Sequence, residues 1–111
     1  MAQVTFRQGD PQFCDHTPGS AVTAGDVIIT SATVRIAHVD IAASALGALA
    51  YSGGIYECTG DAAIAEDKKV YWVDADNEVT ETAGSNKVFG VTVSACSGDG
   101  STCLVRHDPG V

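Results

Sequence analysis

The chain has 111 residues, which allows one domain and one core. Hydrophobic residues make up 45% but aromatic ones only 6%, so that core is built mainly from Ala, Val and Ile. The formal charge of −8 excludes a surface that tracks nucleic-acid phosphates, which rests on Lys and Arg.

From the N-terminus, Val4 to Arg7 reads as a first strand ended by Gly9-Asp10-Pro11. Its alternation puts Val4 and Phe6 on one face, Thr5 and Arg7 on the other. Met1 to Arg7 has no apolar run of the secretory type, so synthesis in a cytoplasm is expected. Phe13 to His16 reads as a short second strand, closed by Thr17-Pro18-Gly19. Val27 to Thr30 and Val34 to His38 follow. The low-charge stretch Ile41 to Ile55 contains three glycines and is too short to cross a bilayer.

Leu46 to Tyr51 and Ile55 to Thr59 flank Ser52-Gly53-Gly54, a hairpin signal because paired glycines accept positive φ. Val70 to Val73 and Val79 to Thr82 flank Asp74-Ala75-Asp76-Asn77. Lys87 to Ala95 and Thr102 to His107 flank Ser97-Gly98-Asp99-Gly100, and residues 107–111 read as a tail. Ala42 to Ala45 and Ala62 to Asp67 could each form a helical turn. The expected fold class is therefore all-β: a small antiparallel β-sandwich or partly closed β-barrel with short helical turns.

Chemistry is hard to find. Neither G-x-x-x-x-G-K-[ST], nor G-x-G-x-x-G, nor G-x-S-x-G occurs, so nucleotide-cradling and nucleophile-elbow sites lack their residues. Asp74, Asp76 and Glu78 alternate like the opening of a calcium loop. Val79 and Ser85 stand where such a loop needs Gly and Glu, and a solvated hairpin turn explains the acids. Cys14 and His16 share a strand face, as two zinc ligands would, but Cys96 and Cys103 are seven apart and fit no usual second half. Tyr71 and Trp72 are neighbours on a strand and face opposite sides, so they make no joint stacking platform. No catalytic residue, cofactor or metal site is assigned.

Four cysteines in a chain made under reducing conditions read as buried thiols by default. Cys96 and Cys103 are the alternative. They flank the last hairpin, and a bond between them would close a loop of about eight residues.

Taken in order, several pieces form a pattern. Gly9-Asp10 precedes Thr17-Pro18-Gly19-Ser20-Ala21-Val22, and Ala24-Gly25-Asp26-Val27 opens a strand. Leu46-Gly47-Ala48-Leu49-Ala50 precedes Gly54-Ile55-Tyr56-Glu57. Ala63-Ile64-Ala65 leads to Lys69-Val70-Tyr71-Trp72, and Val79-Thr80-Glu81-Thr82 to Asn86-Lys87-Val88-Phe89-Gly90-Val91. From about Val4 to Arg106 this resembles the capsid cement, or head-decoration, family of tailed bacteriophages and prophages. It departs from the family pattern at Glu66-Asp67-Lys68, at its cysteines and in a longer tail.

The resemblance implies a structural virion protein on the outer capsid surface, made in the bacterial host cytoplasm and bound to the major capsid protein. It implies a role like that of lambda-type decoration proteins, as a homotrimer at threefold and quasi-threefold positions, with no nucleic acid or membrane partner. The N-terminal arm, residues 1–8, is the expected capsid contact, through Val4, Thr5, Phe6 and Arg7. Two other classes fit the composition: a small-ligand-binding β-barrel, and a metal-binding accessory domain using His16, His38 and His107.

Overall fold

The computed structural model describes residues 3–31 and 33–111. Ten strands follow one another: β1 (Thr5–Gln8), β2 (Gln12–His16), β3 (Val27–Ile29), β4 (Val34–Ala37), β5 (Gly47–Ser52), β6 (Ile55–Thr59), β7 (Lys69–Val73), β8 (Glu78–Thr80), β9 (Lys87–Thr92) and β10 (Thr102–His107). They form a six-stranded sheet in the order β1-β6-β10-β9-β7-β8 and a four-stranded sheet in the order β2-β5-β4-β3. Every strand pair is antiparallel. The two sheets stay open, so the architecture is a sandwich and not a closed barrel.

Alternation of small and β-branched side chains makes one face of each strand apolar. Tyr56 and Val105 stand opposite each other in the larger sheet, and Ile36 and Ala50 in the smaller one; all four are buried. With Trp72, Phe89 and Val34 they form the main core between the sheets. A second, smaller cluster of Val22, Ala37, Ile41 and Leu49 lies on the other face of the smaller sheet. The loops that carry Val22 and Ile41 cover it, joined by a two-residue bridge.

Two expectations are corrected. Ser52-Gly53-Gly54 is not a hairpin turn. β5 belongs to the smaller sheet and β6 to the larger, so this segment is a corner between them. Gly53 and Gly54 have φ of +85° and +83°, open to glycine at little cost. Gly53 N donates to His107 O and His107 N to Gly54 O, pinning the corner to the end of β10. β10 takes in His107, which leaves 108–111 as the tail.

The helical turns at Ala42–Ala45 and Ala62–Asp67 are absent; no described residue is helical. Ser44 and Asp67 have φ near +64° and +63°, which ends any right-handed turn there. The second segment is instead held flat against the sheet. Ile64 bridges Cys96, and Thr92 Oγ1 donates to Ala65 O (2.8 Å) and accepts from Lys68 N (2.9 Å). Alanine propensity loses to tertiary hydrogen bonds at both places.

Candidate functional site

β1 and β2 act as one bent strand. β1 pairs with β6 and β2 with β5, in a ladder running from Thr5↔Glu57 and Phe6↔Tyr56 through Gln12↔Ser52 to His16↔Gly47. Register shifts at Gln8 and between Gln12 and Phe13 take up the bend. The strand therefore follows the chain of β5 and β6 around the corner and forms an edge of both sheets. Among the described residues, the backbone of 5–16 bonds only to β5 and β6, so its outer edge is unpaired.

Side chains along this edge are mostly exposed, including two aromatic ones. Phe6 is 41% and Phe13 46% exposed. Both lie on inner faces, because Phe6 stands opposite buried Tyr56 and Phe13 opposite buried Ala50. They flank one ring, that of His38, at the mouth of the sandwich. His38, just past β4, has its ring centroid 4.8 Å from that of Phe6 and 4.9 Å from that of Phe13.

Behind His38 the rings continue inward. Tyr56 Oη is 2.6 Å from His38 Nε2. Burial pushes the tyrosine hydroxyl above its usual range and the His38 imidazole below its own, so Tyr56 keeps its proton and donates to a neutral ring. Tyr56 packs edge-on against Phe89 and His107, and Phe89 against Trp72. A cavity of about 200 Å³ opens beside the edge, lined by Val4, Phe6, Gly25, Ile36 and His38.

The expected contact residues divide. Val4 is 2% exposed and belongs to the core. Thr5, Phe6 and Arg7 are exposed on β1, with Arg7 Nη1 3.1 Å from Glu57 Oε2. The segment is thus a strand of its own domain that also presents a free edge. Phe13 is the member of this site that the sequence did not single out, and His38 entered there only as a candidate metal ligand. Phe13 follows the Gly-Asp-Pro break and reads as ordinary strand, and His38 reaches the seam only through the folding of β4.

The other residues do not converge. Cys14 and His16 are on β2, with Arg35 Nη1 2.8 Å from Cys14 Sγ, whereas Cys96 and Cys103 lie in the larger sheet's region. His107 is buried and donates from Nε2 to Val34 O (3.0 Å). Among the described residues no three His, Cys, Asp or Glu side chains are placed to share a metal ion. Asp74 and Asp76 sit in the β7–β8 turn, and Trp72 Nε1 donates to Asp74 Oδ1 (3.2 Å). The sulfurs of Cys96 and Cys103 are in bonding contact, their Cα atoms 4.9 Å apart, and Cys58 stands opposite Cys103 across β6 and β10.

An exposed edge with aromatic anchors is the kind of surface to which another chain can add a strand. A family model described as phage cement protein matches residues 7–107. The chain belongs to the phage cement protein family. Its role is accordingly structural: it binds a phage capsid and stabilises the shell, and its place is the virion. The match begins at Arg7, inside β1, and ends at His107, the last residue of β10, so it spans nearly all of the sandwich. Comparison with curated proteins and with solved structures gives no match.

Proposed function

We propose that this cement protein sits on the outer surface of the head as a homotrimer, at threefold and quasi-threefold positions. There it grips the major capsid protein through the edge that starts with Thr5, Phe6 and Arg7. It acts without chemistry, made in the host cytoplasm and added once the shell subunits have come together. The observation that carries this reading is the outer edge of residues 5–16, a long strand edge without a backbone partner among the described residues. Edge strands of that length are normally blunted or covered, because they recruit other chains. On a cement protein, a free edge offers backbone hydrogen bonds to a neighbour that is present only on the shell.

Val4 is core, so removing the first residues would damage the fold, and the test uses the intact chain. Mixed with expanded, DNA-free shells of its capsid protein, the protein should co-sediment and appear as trimeric density at threefold positions by electron cryomicroscopy. Failure to co-sediment removes the reading. Density on twofold or fivefold axes removes the trimer.

A further inference from the structure

The capsid partner of this edge has a chemistry that the surface itself describes. Two anchors, Phe6 and Phe13, flank His38 at the mouth of the sandwich, and the cavity beside Phe6 has room for one apolar side chain. The charges are one-sided. Arg7 is taken up by Glu57, whereas Asp10 and Asp15 are exposed and belong to no ion pair among the described residues. Asp15 shares a strand face with Phe13, two residues away, so an added strand would meet apolar and acidic positions on the same side. Arg35 reaches β2 from the other face, over Cys14. The three lysines lie at 68, 69 and 87, on or beside β7 and β9, which are separated from β1 by β6 and β10.

We infer that the edge of residues 5–16 receives an extended segment of the capsid subunit whose side chains alternate, an apolar one entering the cavity by Phe6 and basic ones lying beside Asp10 and Asp15. This rests on the cement reading above. The backbone of the incoming segment pairs with β1 or β2 on either side of the bend, since Pro11 offers no N–H at the corner itself.

A second copy of this chain suits the edge poorly. Twofold pairing about Asp10-Pro11 would set Asp10 against its own mate, with like charges opposed and −8 on each chain.

The test compares two variants with the same change of charge. Asp10→Lys combined with Asp15→Lys reverses the edge, and Glu66→Lys combined with Glu81→Lys changes exposed sites elsewhere in the chain. All four side chains are exposed, and thermal unfolding checks that both proteins are folded. Against expanded shells of the capsid protein, the edge variant should bind about tenfold more weakly or worse, and the control close to wild type. Amides of 5–8 and 12–16 should gain hydrogen-exchange protection in the wild type on the shell.

If the wild type binds and the edge variant binds equally well, the basic partner is overturned while the cement role stands. Absence of new protection at 5–16 overturns strand addition. If wild type itself fails to bind, the cement reading goes, and this inference with it. A solution oligomer that the edge variant abolishes would make the surface a self-contact and overturn the capsid partner.

Discussion

The two flanks of this sandwich are built on opposite plans. Two of the edges, β3 and β8, are three residues each and are met by other parts of the chain. Gln3 Oε1 accepts from Val27 N at the start of β3, and Gly60 bridges Val79 in β8 while Asp61 N donates to Val79 O. By contrast β1 and β2 run as one long edge with no backbone partner on its outer side among the described residues. The covered flank holds Trp72, Phe89 and Val79 at or below 1% exposure, while the open flank leaves Phe6 and Phe13 nearly half in solvent. Short, capped edges are how a β-protein avoids unwanted partners. A fold that applies the device on two edges and omits it on a third supports the proposal that the third edge is where the partner binds.

The contrast can be broken by mutation. Phe89→Ala empties a core position packed against Tyr56, Trp72 and His107. It should cost about 4 kcal/mol in denaturant unfolding.

The next effect follows from His107, which sits behind the corner. Burial holds its imidazole down to about 4, against the pull of the Val34 carbonyl and Asp108. Its Nδ1 is buried without a partner, so a second proton would have no acceptor. The unfolded chain takes up that proton near pH 6.5. Stability from this group is therefore present above pH 6.5 and is lost as pH falls towards 4, by about 3 kcal/mol in all. Melting temperature should drop between pH 7 and 4.5, and His107→Gln should flatten that dependence. His38, lowered in the same direction by burial, adds to the slope from the open flank.

A disulfide between Cys96 and Cys103 would stabilise the covered side by about 2.5 kcal/mol, since it closes a loop of about eight residues. Thiol titration of unfolded protein from intact particles tests it. Two free thiols per chain are expected, at Cys14 and Cys58. Four would remove the bond.

The smallest stability effect belongs to the open flank. Phe13→Ala should cost about 1 kcal/mol, because nearly half of that ring is already in water. Shell binding should fall much further than stability. A loss as large as that of Phe89→Ala would mean that the open flank is core after all, and would erase the contrast.

Much of this was legible from the residues. β-branched runs punctuated by Gly, Asp and Asn locate all ten strands to within a few residues, and Ile55–Thr59 and Thr102–His107 are located to the residue. The polar turn at 74–77 is a hairpin as its composition says. What local composition does not carry is which sheet a strand joins. Ser52-Gly53-Gly54 has the same chemistry whether the chain doubles back or turns a corner, and the pairing of β5 with β4 and of β6 with β10 decides it. Ala62–Asp67 has helical residues but makes its hydrogen bonds with Thr92 and Cys96, 25 and more residues away in sequence. The seam was hidden for the same reason. Phe6, Phe13 and His38 carry no motif and become neighbours only when both sheets close on them.

The bent strand has a mechanical side. A pull along residues 5–8 or 12–16 works against the whole neighbouring ladder at once, as shear, because the hydrogen bonds lie across the direction of force. The same pull directed away from the sheet would peel them one by one. If a shell straining outward loads its clamp lengthwise, this small domain resists with all its rungs together. The two glycines at the corner, tied to His107, then mark where the load passes from one sheet to the other.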